Sequence, residues 1–179
     1  RFLGNSAATA GAIRFWGPAG TLTLSRVDFE DNTATASSGA IGFSGDELSV
    51  DRARFLRNVA GTTGGGIEVL NTPTMRVTNS LFAGNAATGG VGHAIHAVSY
   101  TTTELVHVTI ANAGAVWTGS ALRFEVAGGF IFANSIVANH ATALSLQSSA
   151  VAPDRLLIWN DGAAPPDFVP ENGAPIIAA

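Results

Sequence analysis

Glu68, His96 and Arg123 stand 28 and 27 residues apart, and Glu125 lies two residues beyond Arg123. They are the chain's one concentration of acid–base side chains at a spacing that a repeat would bring together. Two carboxylates beside an imidazole and a guanidinium can do general acid–base work, the chemistry of polysaccharide lyases and glycosidases. The same four side chains would equally form a solvated cross-strand charge ladder with no reaction to perform. Acids are too few on such a face for a calcium cage. Composition closes off other mechanisms. The 179 residues contain no Cys, which removes thiolate nucleophiles, disulfides and Cys-based zinc sites. All nine basic residues are Arg, so there is neither a P-loop lysine nor a Schiff-base lysine. No two of the four His share the i, i+4 spacing of a helical metal motif, and neither metal nor cofactor is expected. A net charge of −4 argues against nucleic acid as a partner. No apolar run reaches the roughly 18–20 residues of a membrane-spanning helix.

The four side chains meet only if the chain is coiled, and an internal repeat says that it is. Asn5, Asn32, Asn58, Asn85, Asn112 and Asn139 recur at spacings of 27, 26, 27, 27 and 27. Phe2, Phe29, Phe55 and Phe82 each stand three residues before an Asn, giving FLGN, FEDN, FLRN and FAGN. Small-residue clusters ending in an aliphatic follow: AGAI to Ile13, SGAI to Ile41, GGGI to Ile67 and GHAI to Ile95, with fainter copies ending at Leu122 and Leu144. The apolar pairs Ile13/Phe15, Ile41/Phe43, Ile67/Val69 and Leu122/Phe124 alternate with the two-residue period of a strand. Gly and Thr interrupt every candidate helical stripe. The pattern predicts an all-β chain: a parallel β-helix of about six coils over residues 1–146, stacked at roughly 4.8 Å per coil. Residues 147–179 are expected to be an irregular, Pro-rich capping segment, with Leu156, Leu157, Ile158 and Trp159 as its apolar plug.

In such a coil the six Asn form a structural ladder of side-chain amides, and the four Phe stack in the core. If the aliphatic of each small-residue cluster points inward, the next residue points out. The outward column is then Arg14, Gly42, Glu68, His96, Arg123 and Ser145, with Trp16 and Glu125 in the column beside it. Arg14 and Trp16 form a possible glycan contact. Arg1, Asp28 and Arg54 occupy one surface column, and Asp31 and Arg57 another, so opposite charges on neighbouring coils favour the register.

The paired FxxN and GGA(I/L/V)-like motifs resemble the polymorphic outer-membrane-protein repeat, and HVTIAN and NSIVAN are similar to text in anchored β-helical surface proteins of bacteria. The resemblance covers roughly residues 1–146. It implies a right-handed β-helix, export to the cell surface and a passenger or adhesin role, and it implies no catalytic residues. Repeats five and six depart from it: Thr109 and Ile136 stand three residues before Asn112 and Asn139, where the earlier copies carry Phe, and the arc before Asn reads one residue shorter. The chain opens inside a repeat, so self-association through open solenoid ends is expected, alongside a cell-surface glycan or protein as partner. The functional expectation is a non-enzymatic structural or adhesive module. The alternative is a carbohydrate-active or glycan-binding protein using the charged outward face.

Overall fold

The computed structural model describes residues 1–112, 117–125, 128–147, 151–159 and 168–170. These residues form twenty strands and no helix, and the strands stack as a parallel β-solenoid of about five turns. Each turn visits three faces. Face A takes Ile13–Trp16, Ile41–Ser44, the first part of Ile67–Thr78 and of Ile95–Val106, then Trp117–Glu125 and His140–Leu146. Face B takes Thr21–Ser25, Glu47–Asp51 and the second part of the same two long strands. Face C takes Phe2–Leu3, Asp28–Glu30, Arg54–Leu56, Leu81–Ala83 and Thr109–Ala111. The two-residue strands Ser6–Ala7, Thr33–Ala34, Val59–Ala60 and Ala86–Ala87 make a small separate sheet between C and A.

Single residues with left-handed backbone turn the corners. Asn71 (φ 51°) and Ser99 (φ 56°) bend the long strands between A and B. Arg26, Arg52, Asn79, His107 and Asn134 do so between B and C, at φ between 50° and 55°. One such residue reorients the chain without breaking the ladder, because its neighbours keep extended geometry.

Alternation along each strand supplies the core. Phe29, Phe43, Phe55, Ile41, Ile67, Ile95, Leu122 and Leu144 are fully buried. The rings of Phe2, Phe29, Phe55 and Phe82 stack in file, with centroids 4.9, 4.9 and 4.5 Å apart and planes within 9° of parallel. Each buried ring contributes roughly 2–3 kcal/mol of hydrophobic stabilisation. The register shows what replaces Phe further on. Phe82 pairs with Ile110, and Ile110 with Val137. Both are buried. Thr109 and Ile136 lie one place earlier, in the outward column, and Ile136 is 39% exposed. The arc before Asn is thus one residue shorter, as the spacing indicates, and Ile110 and Val137, not Thr109 and Ile136, take the place of Phe.

Beyond Leu146, Val151–Trp159 pairs with Gly129–Ala138, and Phe168–Pro170 pairs with His140–Leu146, both in parallel. Leu156 and Ile158 pack against the core, whereas Leu157 and Trp159 alternate outward and are 56% and 61% exposed. The four residues form a strand, not an apolar plug. Pro165, Pro166, Pro175 and the tail at 171–179 lie outside the described residues.

Candidate functional site

The outward column of face A arises from strand register alone. Arg14 pairs with Gly42, Gly42 with Glu68, Glu68 with His96, His96 with Arg123 and Arg123 with Ser145. Leu70 pairs with Val98 and Val98 with Glu125, which puts Glu125 in the adjacent column. The four candidate residues thus lie on three successive turns.

They are not a solvated ladder. Glu68 is only 5% exposed and His96 7%. The cover is the small-residue loop preceding each face A strand, which folds back over that strand's outer side. Its left-handed residues are Ala10, Ser38, Gly64 and Gly92. A methyl group on Gly64 would sit 2.8 Å from Cβ of Glu68, and one on Gly92 would sit 2.9 Å from Cβ of His96. In the turn before, the sizes are exchanged: Ser38 carries the side chain and Gly42 has none, and a Cβ on Gly42 would lie 2.9 Å from Ser38 Oγ. Loop and strand residues four apart are therefore matched in volume, small over large or large over small.

Within this enclosure the polar atoms satisfy one another. Ser38 Oγ donates to Glu68 Oε2 at 2.8 Å, and Thr63 Oγ1 donates to Oε1 at 2.5 Å. His96 Nδ1 lies 3.4 Å from Glu68 Oε1, and Nε2 lies 3.2 Å from Glu125 Oε1. A neutral ring can donate to only one of these carboxylates; the imidazolium donates to both. Arg123 Nε donates to Glu125 Oε1 at 3.2 Å, and its Nη1 donates to Ser145 Oγ at 2.9 Å. Burial pushes the Glu68 carboxyl up, but hydrogen bonds from His96, Ser37, Thr63 and Ser38 outweigh it and hold the group down at about 2. Glu68 is thus a fixed anion near neutral pH, suited to orienting His96 and unsuited to delivering a proton. Ser38, Thr63 and Ser145 escape sequence reasoning, since their type is common and only the loop's fold-back and the register bring them to the network.

Arg14 and Trp16 lie at one end of face A, and the Arg14 guanidinium sits over the Trp16 ring, 3.9 Å from its centroid. Trp16 is 44% exposed, but this cation–π contact occupies one of the two ring faces a sugar would stack on.

The Asn positions divide into two groups. The side-chain amide of Asn5 donates to Asn32 Oδ1, that of Asn32 to Asn58 Oδ1, and that of Asn58 to Asn85 Oδ1, at 2.7, 2.8 and 2.9 Å. Asn32, Asn58 and Asn85 also donate to the carbonyls of Phe2, Phe29 and Phe55. Asn112 and Asn139 depart from the expected ladder. Because Ala83 pairs with Ala111 and Ala111 with Ala138, the missing residue brings Asn112 opposite Gly84 and Asn139 into the same column one turn on. Asn139 there takes the left-handed φ of 60° that Gly84 takes at 66°. Its amide donates to the Asn112 carbonyl instead.

Two further His are buried inside the solenoid. His93 Nδ1 accepts from the Ala87 N–H at 3.0 Å while Nε2 donates to the Thr118 carbonyl at 2.8 Å. That pairing fixes the neutral Nε2–H tautomer. His140 lies with its ring centroid 5.7 Å from that of His93. Among the described residues no group of three His, Cys, Asp or Glu could hold a metal ion. No protein-family model, curated protein or solved structure matches the chain.

Proposed function

We propose that the chain is a non-enzymatic structural or adhesive β-solenoid module of an exported, cell-surface protein. The observation that carries this reading is the saturation of Glu68: its two carboxylate oxygens take Ser38, Thr63 and His96, and little of it meets solvent. A catalytic carboxylate needs room for substrate and a proton to exchange. Glu68 instead ties the covering loop to its own and neighbouring turns. The four FxxN tetrads with their GGAI-like clusters support a polymorphic outer-membrane-protein type of repeat, and with it a right hand, export and a bacterial surface. Among the described residues no helix is long and apolar enough to cross a membrane. The deciding experiment incubates the purified protein with a panel of polysaccharides and follows unsaturated and reducing-end products, beside sedimentation and cell-binding assays. Self-association or cell binding without product is the expected result. Turnover abolished by Glu68→Gln would overturn the reading.

One observation favours a second reading, a carbohydrate-active site. Arg123 and Ser145 line a small open pocket of about 180 Å3 with Gly90, Ser120 and Thr142, and Glu125 beside them is more exposed than Glu68. In that case Glu125, with His96 behind it, carries the acid–base role. Loss of product formation in Glu125→Gln at unchanged melting temperature would select this reading.

A further inference from the structure

A groove lies away from face A, at the corner between faces B and C. We infer that it is a binding trough for an acidic saccharide chain running along the solenoid axis. The fold builds it from two rails. The left-handed corner residues Arg52, Asn79 and His107 are exposed on three successive turns and form the outer rail. The next residues, Ala53 and Ser80, turn inward, are buried and leave a floor. The residues after those, Arg54, Leu81 and Thr109, pair in register and form the inner rail. Between the rails lies a volume of about 490 Å3.

The charges are arranged for an anion. Asp51 accepts from Arg52 Nε at 2.6 Å, from Asn79 Nδ2 at 2.8 Å and from Thr78 Oγ1 at 3.0 Å. It therefore pins the outer rail from outside. Arg54 has its nearest acid, Asp28, at 3.8 Å, beyond hydrogen-bond reach. Its guanidinium donors remain available for a bidentate grip on a carboxylate or sulfate. His107, with Nδ1 3.3 Å from Asn79 Oδ1, stands at the opposite end. The middle rung is short and half apolar, Asn79 facing Leu81. An oxyanion placed between Arg52 and Arg54 thus leaves a ring free to lie with its C–H face on Leu81.

Geometry selects the class of ligand. Neighbouring turns repeat at roughly 4.8 Å, close to the advance of one pyranose along an extended chain, so successive sugars meet successive rungs. An extended peptide places same-side side chains every ~6.6 Å and drifts out of step. Nucleic acid draws its affinity from many phosphate contacts, and the groove holds too few cations on a chain of net charge −4. The inference is independent of the scaffold role above; the product and sedimentation assays there do not bear on it.

Titration calorimetry of the whole chain tests it with an oligogalacturonate, a sulfated oligosaccharide, a neutral malto-oligosaccharide and a polyglutamate peptide. The acidic saccharides should bind, more weakly at high salt, and whichever binds better identifies the acid. Arg54→Gln should weaken binding about tenfold, and Leu81→Asp should abolish it. Both sit on the surface, and an unchanged melting temperature shows that the fold is intact. The inference fails if neither acidic saccharide binds at millimolar concentration. It also fails if the neutral sugar or polyglutamate binds as well, or if folded Leu81→Asp binds like the parent.

Discussion

Asn32 is joined to Asn58 twice: its backbone N–H and its side-chain amide both donate to Asn58 Oδ1, at 3.1 and 2.8 Å. Asn58 repeats the arrangement toward Asn85 and sends its other amide hydrogen back to the Phe29 carbonyl. One buried side chain therefore satisfies groups on both neighbouring turns. Water does not reach the corner, so every partner left over is a desolvated polar group.

Asn58→Ala should accordingly cost about 3 kcal/mol or more, since it strips the acceptor from two Asn32 donors and the donor from Phe29 and Asn85. Asn58→Asp keeps the acceptor but sets a carboxylate against the Asn85 and Phe29 oxygens, and it should be no better tolerated. Urea midpoints of the two variants check this; near-parental stability of the Asp variant would show that the donated bonds carry little.

Close backbone approach at the loop makes a second prediction. A Cβ on Gly39 would lie 2.0 Å from the Gly65 carbonyl and 2.9 Å from the Val59 backbone. Backbone atoms cannot swing aside, so Gly39→Ala should destabilise by about 3 kcal/mol or more. Gly129→Ala meets nothing nearer than 4.0 Å and serves as the tolerated control in the same thermal melts.

Glu68→Ala removes the anion between His96, Ser38 and Thr63 and should cost about 3–5 kcal/mol. Glu68→Gln retains the shape but offers one acceptor oxygen in place of two, and it should fall between the alanine variant and the parent. Hydrogen exchange at the loop amides of 62–66 should quicken in both, because the carboxylate is what fastens Thr63 to the strand.

Acid should weaken the fold in two stages. Burial, then the nearby His93, presses the His140 imidazole down to about 3, and burial lowers His93 as well. In the unfolded chain both take up protons near 6.5. Stability is thus at its full value above pH 6.5 and falls as the pH drops from there toward 3. Glu68, held at about 2 against an ordinary 4.5, adds a second loss beginning below pH 4.5. Urea midpoints at pH 7.5, 5.5 and 4 should decline for the parent, and less steeply between the first two for His140→Gln. A flat profile over that interval would contradict the assignment.

The surface ion pairs should matter least. Arg57 donates to Asp31 at 2.8 Å and to Glu30 at 2.6 Å, with more than half of its side chain exposed. Arg57→Ala should leave the urea midpoint close to the parent's, and any difference should shrink further in 1 M salt.

How far the chain could be read from its residues follows from where information sits in a solenoid. Phe and Asn announce the turns because each stacks on its own kind, and a stack demands repetition. Glu68, His96 and Arg123 could be aligned from counting, since parallel register preserves residue number from turn to turn. The shorter arc before Asn112 and Asn139 was legible too, but counting back three residues put Thr109 and Ile136 in the place of Phe, whereas hydrophobic burial keeps Ile110 and Val137 inside. Alternation alone also left Glu68 and His96 facing water. That they are covered depends on a loop folding back, and its sign in the sequence is the exchange of Ser38/Gly42 for Gly64/Glu68, a pair of residues rather than a motif.

That exchange also limits how such a chain can grow by copying its own turns. The residues from the loop's left-handed corner to the outward strand position, 38 to 42 or 64 to 68, fit each other only as one piece. A recombination junction between them joins Ser38 to Glu68, two side chains in one space, or Gly64 to Gly42, which leaves a hole. The duplicable unit is therefore counted from face B to face B, with loop and face A strand kept together.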